Sequence, residues 1–410
     1  MWRVKTLCYD CVNKIYEKSD ESIMIYDVII LGAGASGMMC AAQINEKSDL
    51  NVLIVEGNEK AGKKLKISGG GKCNITNVNI SADNYLGDEQ LIESVFAQFS
   101  KDDLLRWLAE RGLVPVIRKK QYYFCEKSSD EIINILKSSS GKSHYHYRTK
   151  VLSLVKESDK DGLFRLQTDK GEFQAKHVVV ATGAKSYASI GASEIGLKLA
   201  EQLGHSSKPF MPALAGLTLQ PQDFWMKELS GISLFAHISI NGKSLKEDML
   251  LTHRGLSGPV VLSASLYWKK GEVEINFLPE IDLRAVVHNN RKLLSTALNL
   301  PKRFTQALLD VLNIKDKPCS SYKEEELKQL EDAFHHYMLA PAGTYGFAQA
   351  EVCKGGVKTD DINSWTLESN IVENLYFIGE VLDVTGELGG YNFQWAFSSA
   401  VSVANNIIEK

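Results

Sequence analysis

A strand, a glycine-rich turn, a helix and a second strand follow one another near the start of the chain, and this order most constrains the fold. An apolar run at 27–31 leads into Gly-Ala-Gly-Ala-Ser-Gly at 32–37, small residues continue to 45, and a second apolar run covers 51–55. Short apolar runs bounded by turn residues are typical of buried strands. The segment therefore predicts a β-α-β unit within a parallel sheet.

The three glycines of the turn predict a dinucleotide site. Gly32 permits the tight turn, Gly34 lets the backbone approach a pyrophosphate, and Gly37 lets the helix pack closely on the sheet. Glu56 ends the second strand 19 residues after Gly37, where a carboxylate can accept hydrogen bonds from ribose hydroxyls. NAD and FAD proteins share this pattern, so the turn does not choose between them. The residues of the turn expected to bind the cofactor are Gly32, Gly34, Ala35, Ser36 and Gly37.

Three later segments favour FAD. Residues 62–74 place three consecutive glycines among four lysines, which predicts a flexible basic loop against the cofactor. The apolar run at 178–183 ends in Thr182 and Gly183, and the run at 375–380 ends in Gly379 and Glu380. Further glycines at 386, 389 and 390 suit a backbone that lies along an extended ligand. A cofactor held by both ends of the chain is long, and this favours FAD over a nicotinamide nucleotide.

Four motifs together resemble the bacterial flavoprotein family of aminoacetone oxidase and the BaiN-like bile-acid reductases, often called YhiN-like. The motifs are Gly-Ala-Gly-Ala-Ser-Gly at 32–37, Lys-Ile-Ser-Gly-Gly-Gly-Lys-Cys-Asn at 66–74, Thr-His-Arg-Gly-Leu-Ser-Gly-Pro at 252–259, and Gly-Glu-Val-Leu-Asp-Val-Thr-Gly-Glu-Leu-Gly-Gly-Tyr-Asn-Phe-Gln-Trp-Ala at 379–396. Lys72 departs from the arginine of the family pattern, which keeps the charge but loses the two-pronged guanidinium. The resemblance implies FAD contacts at Ser36, Gly37, Glu56, Lys63, Lys64, Gly71, Asn74, Glu380, Asn392 and Phe393, with a backbone contact from Val151 to the adenine. Gly390 belongs to the same glycine-rich motif.

The expected fold class is α/β, with a Rossmann-type, two-dinucleotide-binding FAD domain that carries two insertions. Residues 24–205 and 342–410 are expected to form the FAD domain. Alternating apolar and polar residues at 206–282, with 338–341, predict a β-rich, barrel-like substrate domain, and helical spacing at 283–337 predicts a small helical insertion. Residues 1–23 are interpreted as an extension of unknown role.

Composition argues against several classes of partner. Lys plus Arg (47) nearly balances Asp plus Glu (50), so a net charge of −3 predicts no nucleic-acid partner and no membrane association. Seven scattered cysteines do not form a disulfide pattern, which favours the cytoplasm. The lone pair of Cys8 and Cys11 lacks the second pair that a structural zinc site needs, and no metal site is predicted.

These expectations combine in an FAD-dependent oxidoreductase that exchanges hydride with a small organic substrate. The preferred reaction is NAD(P)H-dependent reduction of a conjugated enone such as a dehydro-bile acid. NAD(P)H is then a transient donor, because no second dinucleotide turn follows a strand. The alternatives are oxygen-dependent oxidation of a small amine and flavin-dependent tRNA modification. No catalytic residue is assigned: Tyr391 is expected to pack rather than donate a proton, and Cys73 is expected to be a packed thiol.

Overall fold

The computed structural model describes residues 24–157, 162–187 and 190–410. The pair Cys8 and Cys11 and the predicted extension at 1–23 lie outside the described residues. The strands are β1 Ile25–Leu31, β2 Val52–Val55, β3 Asn74–Asn77, β4 Tyr85–Leu86, β5 Val116–Arg118, β6 Tyr122–Phe124, β7 His144–His146, β8 Val151–Lys156, β9 Phe164–Thr168, β10 Gly171–Val180, β11 Ser207–Ala213, β12 Leu217–Thr218, β13 Ser233–Ile240, β14 Lys243–Thr252, β15 Gly255–Ser257, β16 Val273–Asn276, β17 Tyr337–Leu339, β18 Gly343–Thr344, β19 Val352–Val357, β20 Leu375–Phe377 and β21 Thr385–Gly386.

The α-helices are α1 Ala35–Lys47, α2 Lys63–Gly71, α3 Glu89–Gln98, α4 Lys101–Ala109, α5 Asp130–Ser139, α6 Ile195–Gln202, α7 Pro259–Tyr267, α8 Leu283–Val287, α9 Leu294–Ala297, α10 Lys302–Val311, α11 Glu324–His335 and α12 Tyr391–Glu409. Turns of 3-10 helix lie at Ala82–Asn84, Pro221–Leu229, Cys319–Ser321, Thr359–Asp361 and Gly379–Val381.

The first sheet has β1 at its centre and confirms the predicted β-α-β unit. β1 pairs in parallel with β2 on one side and with β10 on the other, and β7 and β20 extend the parallel part. β8 and β9 add an antiparallel edge next to β10. The small residues of α1 let it pack against α12, so the two helices that follow the glycine-rich motifs lie together on the sheet.

The second sheet contains the strand-rich segment predicted between the two parts of the FAD domain. Its order is β17-β16-β13-β14-β15-β12-β18, and its neighbouring strands pair antiparallel. The end strands β17 and β18 are not paired with each other in the described part of the chain, so the sheet is open rather than closed into a barrel. Helix α7 lies within the segment expected to be strands. The sequence did not predict this helix because the apolar residues of 260–267 are not confined to one face and so show no helical period.

The predicted helical insertion packs into the same core as this sheet. Phe304 of α10 lies edge-on to Phe277, with 4.9 Å between ring centroids, and Phe334 of α11 is buried in the same cluster. The first part of this insertion forms two short helices, α8 and α9, rather than one continuous helix. The chain between them takes a positive φ of 53° at Asn289, which a continuous helix cannot contain.

Two of the contacts between the half of the molecule that contains the first sheet and the half that contains the second sheet involve β19. β11 leaves the first half and pairs with β19, which returns to it, and Ala213 lies opposite Val352. The Lys354 ammonium on β19 donates to the backbone carbonyls of Leu266 and Trp268, at 2.8 and 2.6 Å, at the end of α7. The two halves therefore meet along one edge, where the parallel strands of the first sheet end.

Candidate cofactor and substrate cavity

A cavity of about 1060 Å³ lies between the two halves of the molecule. Residues at the carboxyl ends of β1, β2 and β10 line one side, and Leu214 and Pro259 line the other. Ligands of open α/β sheets bind at this end of the strands, where the connections separate. The cavity therefore occupies the place where the sequence predicts a dinucleotide.

The glycine turn has the three properties that the sequence predicts. Gly32 has a φ of 112°, and a Cβ there would collide with the carbonyl oxygen of Ala181. A Cβ at Gly37 would overlap the carbonyl oxygen of Gly32, so a side chain would push α1 off the turn. At Gly34, by contrast, a Cβ meets nothing within 4 Å, because it points into the cavity.

The start of α1 gives this part of the cavity a positive character. Met38 is the first residue of the helix whose N–H bonds a helix carbonyl, that of Gly34, at 3.1 Å. The preceding N–H groups have no partner within the helix, and the dipole adds partial positive charge. This arrangement suits a pyrophosphate that lies over Gly34.

Glu56 is fixed at the end of β2 and lines the cavity. One carboxylate oxygen accepts a hydrogen bond from the Ala33 N–H at 2.8 Å, and the other accepts from the backbone and side-chain nitrogens of Asn58, each at 2.8 Å. A carboxylate has about four lone-pair sites, so Glu56 can still accept a hydrogen bond from a ribose hydroxyl.

Residues from the two ends of the chain join at Lys64. Its ammonium donates to Glu380, 316 positions away, at 2.7 Å and to the Ser186 hydroxyl at 2.8 Å. The other oxygen of Glu380 accepts from the Cys353 N–H at 2.9 Å. Lys64 lies on a helix, not on the flexible loop expected at 62–74, because α2 continues to Ile67 before the backbone leaves helical geometry at Ser68–Gly70.

The start of α12 forms another wall. Gly390 has a φ of 93°, and a Cβ there would collide with the backbone of Thr76 on β3. The Asn392 side chain bonds both backbone groups of Gly386, at 2.9 and 2.8 Å, and so fixes the glycine-rich loop before the helix. The loop therefore has one defined path along the cavity.

Most of the residues predicted to bind the cofactor line this cavity. They are Gly32, Gly34, Ala35, Ser36, Glu56, Lys63, Lys64, Asn74, Val151, Thr182, Gly183, Glu380, Gly390, Asn392 and Phe393. Gly37, Gly71 and Gly379 do not line it. Gly37 packs inside the turn, a Cβ at Gly379 would come within 2.8 Å of the Ser36 hydroxyl, and Gly69 and Gly70 line the cavity in place of Gly71.

The sequence analysis did not identify several other lining residues, of which Glu351 and Glu387 are acidic. Burial raises the pKa of the Glu351 carboxyl, and the nearby Lys64 ammonium opposes that rise. Burial also raises the pKa of Glu387, which accepts a hydrogen bond from the Tyr267 hydroxyl at 2.6 Å. The one local signal for Glu351 is its place directly before a strand that contains two glycines.

Tyr391 and Cys73 are placed as packing residues. Tyr391 lines a smaller neighbouring cavity of about 220 Å³ and lies edge-on to Tyr85, 5.9 Å between centroids. The Cys73 side chain is fully buried, and burial raises the pKa of its thiol to about 12, so it is a neutral thiol near pH 7.

Within residues 24–157, 162–187 and 190–410, no group of three or more His, Cys, Asp or Glu side chains is arranged to hold a metal ion. The same residues contain no helix of the length and apolar character needed to cross a bilayer.

The fold and the cavity define an FAD-dependent oxidoreductase with an inserted domain. The chain belongs to the HI0933-like protein Rossmann domain family, whose model matches residues 26–406. Ribosomal RNA dihydrouridine synthase of Haemophilus influenzae is 38% identical over 392 residues, which cover 92% of this chain and 98% of that protein. The 3-dehydro-bile acid delta(4,6)-reductase of Clostridium scindens is 32% identical over 400 residues, 90% of this chain and 96% of that protein.

A solved structure shares the fold alone. The 3-ketosteroid-delta4-(5alpha)-dehydrogenase of Rhodococcus jostii RHA1 has a TM-score of 0.51 and 13% sequence identity, and the match covers 95% of this chain and 99% of that chain. The comparisons thus confirm the predicted family, fold class and enzyme class. They leave unconfirmed the expectation of no nucleic-acid partner, because the Haemophilus relative is named for ribosomal RNA.

The residues present fit FAD. Gly34 leaves open space beside the N-terminus of α1, and Glu56 offers carboxylate oxygens at the end of β2. Lys64 and Glu380 form an ion pair in the cavity wall. The cavity is also large enough for an extended ligand, since ligand pockets commonly measure about 300–1,000 Å³.

Proposed function

We propose that this protein uses reduced FAD to saturate a carbon–carbon double bond conjugated to a carbonyl, and that its substrate is a uracil base of ribosomal RNA. The relatives support the reaction type. Dihydrouridine is uridine with two hydrogens added across a double bond next to a carbonyl, and a 3-dehydro-bile acid with delta(4,6) unsaturation is also an unsaturated ketone. Both named reactions therefore act on the same kind of double bond.

The observation that carries the RNA assignment is the local charge of the cavity. Six lysine and arginine side chains line it against four glutamates, although the whole chain has a net charge of −3. Four of the six have no ion-pair partner among the residues that the structure describes: Lys60, Lys63, Arg118 and Lys150. The FAD pyrophosphate needs a part of this charge, and the rest suits RNA phosphates.

The hairpin of β5 and β6 supplies a second feature that suits RNA. The Arg118 guanidinium lies 5.3 Å from the centroid of the Phe124 ring, and both residues line the cavity with Tyr122. Splayed-out RNA bases stack on aromatic rings and on arginine planes. This cluster is thus a candidate surface for the extruded base and its neighbours.

When FAD is bound and reduced, it supplies the electron pair and one hydrogen for the reduction. The chain itself holds the cofactor through the residues around Gly34, Glu56 and Lys64, and the walls from the inserted domain exclude water. NAD(P)H is the proposed reductant for the flavin. A ribosomal RNA substrate places the protein in the cytoplasm.

The test uses the purified FAD-loaded protein, reduced without oxygen by NADH or NADPH. Unmodified ribosomal RNA transcript is added, the return of the oxidised flavin spectrum is followed, and digested nucleosides are examined by mass spectrometry for dihydrouridine. We expect RNA-dependent flavin reoxidation and a product two hydrogens heavier than uridine. A reduced protein that RNA leaves unchanged would refute the RNA assignment.

A second candidate substrate is a dehydro-bile acid, and the Clostridium scindens relative is the observation that favours it. The same reduced protein is mixed with a 3-oxo-4,6-diene bile acid in a parallel arm. Reoxidation by the bile acid and not by RNA would identify this activity. Reduction of the oxidised flavin by a small amine would instead identify the amine oxidase alternative.

A further inference from the structure

Four glutamates line the cavity, and three of them are engaged in hydrogen bonds. Glu56 accepts from the turn, Glu380 accepts from Lys64 and Cys353, and Glu387 accepts from Tyr267. Among the described residues, the Glu351 carboxyl has no hydrogen-bond or ion-pair partner, although it faces the cavity. Glu351 is therefore the acid in the cavity wall that is free to meet a ligand.

The backbone around Glu351 is held in place from both sides. Its N–H donates to the Leu214 carbonyl at 3.2 Å, and its own carbonyl accepts from the Ser186 hydroxyl at 3.4 Å. Leu214 belongs to the inserted half and has a φ of 50°, a costly conformation for a branched residue. Glu351 thus lies where the two halves meet, with one backbone hydrogen bond to each side.

The surroundings of Glu351 favour the neutral acid. Although the Glu351 side chain is exposed to the cavity, desolvation by the protein around it raises the pKa of its carboxyl. Burial, and after it the negative charge of Glu351, raises the pKa of the Tyr187 phenol. Lys64 is the cation that acts on Glu351, but its ammonium already pairs with Glu380 at 2.7 Å. A carboxyl that keeps its proton closer to neutral pH is a suitable general acid.

We infer that Glu351 is the proton donor for the reduction, an inference that rests on the proposed function. The electron pair and one hydrogen from reduced FAD form a C–H bond at the carbon remote from the carbonyl, and the π pair of the double bond moves towards the carbonyl. The O–H bond of Glu351 then breaks, and its proton forms the second C–H bond beside the carbonyl. Glu351 is left as a carboxylate and regains a proton from water.

The first test is the variant Glu351→Gln, which keeps the size of the side chain and removes the acid. The FAD-loaded protein is reduced without oxygen, mixed with RNA or with the conjugated bile acid, and followed by stopped-flow absorbance. We expect substrate-dependent reoxidation to slow by about 10²–10⁴-fold, the usual contribution of a general acid. FAD affinity and the rate of reduction by dithionite are expected to stay as in the wild type.

Matched variants separate this role from a general effect of charge. Glu93→Gln changes an exposed glutamate on α3 and is expected to leave reoxidation unchanged. Glu387→Gln removes the other cavity acid whose pKa is raised and so shows which of the two carboxyls supplies the proton. If Glu387→Gln shows the slow reoxidation and Glu351→Gln does not, the donor is Glu387 and the inference is wrong.

A second readout does not need turnover. The infrared difference spectrum between wild type and Glu351→Gln, recorded on oxidised protein over a series of pH values, is expected to show the carbonyl band of a neutral carboxylic acid in the wild type only. The band should persist to a higher pH than that of an ordinary glutamic acid, because the pKa of Glu351 is raised. The reoxidation rate of the wild type should fall as pH rises through the pKa of Glu351, and this fall should be absent in the variant.

The outcomes distinguish the role of Glu351 as proton donor from the proposed function itself. Turnover by the wild type with an equal rate in Glu351→Gln, or the absence of the acid band, overturns the inference and leaves the proposed function intact. A wild type that reduces neither RNA nor the bile acid overturns both. Slow reoxidation together with the acid band supports both.

Discussion

The open space at Gly34 allows a direct test of the cofactor site through Gly34→Val. Gly34 has a φ of −82° and a ψ of −166°, extended values that valine adopts without strain, and its Cβ would enter the cavity without touching protein. The apoprotein should therefore lose at most about 1 kcal/mol of its free energy of unfolding, through the poorer helix cap.

The effect on FAD should be far larger. The added isopropyl group would occupy cavity space beside the start of α1, and a pyrophosphate bound there should lose hydrogen bonds to the first N–H groups of the helix. Each hydrogen bond to a charged group contributes about 1.5–3 kcal/mol, so loss of two costs about 3–6 kcal/mol. This corresponds to an FAD dissociation constant raised by about 10²–10⁴-fold.

The assay compares FAD binding by fluorescence titration with the denaturant unfolding of the apoprotein. Gly343→Val adds the same side chain on β18, outside the cavity, and should leave FAD affinity unchanged. A stably folded Gly34→Val protein that binds FAD as tightly as the wild type would refute the assignment of Gly34 to the pyrophosphate.

Three further predictions concern single side chains. Glu56→Leu should weaken FAD binding by about 10-fold or more, since it removes a charged acceptor, and unchanged binding would exclude the ribose role. Arg118→Ala should weaken RNA binding and lower the slope of its salt dependence by about 1, while Arg303→Ala in the inserted helices should not. Burial lowers the pKa of Lys354 to about 8 from an ordinary 10.5, so the unfolded chain binds more protons between these values. Relative to Lys354→Met, the wild type should therefore gain about 2 kcal/mol of unfolding free energy from pH 8 to pH 10, and a constant difference would contradict this.

The β-α-β unit was predictable because its signals are local. An apolar strand, glycines at fixed spacing and an acid at the next strand end determine the path of a short segment. The segment 375–390 carries similar local signals, and its residues Glu380, Gly389 and Gly390 line the same cavity.

The features that the sequence did not predict are those whose structure depends on contacts between residues far apart in the chain. Residues 260–267 form α7 because the second core surrounds them, and such a uniformly apolar segment does not reveal its period. The helical start of α2 was hidden by three glycines that follow it. Glu351 acquires its environment from Leu214 and Lys64, which are far from it in sequence, so no local pattern could predict it.

The pairing of β11 with β19 brings the departure and return of the inserted segment side by side, at Ala213 and Val352. A different module could be grafted between these two positions without moving the strands that surround the glycine turn. The architecture thus makes the inserted sheet and helices a unit that can vary independently of the strands around the glycine turn.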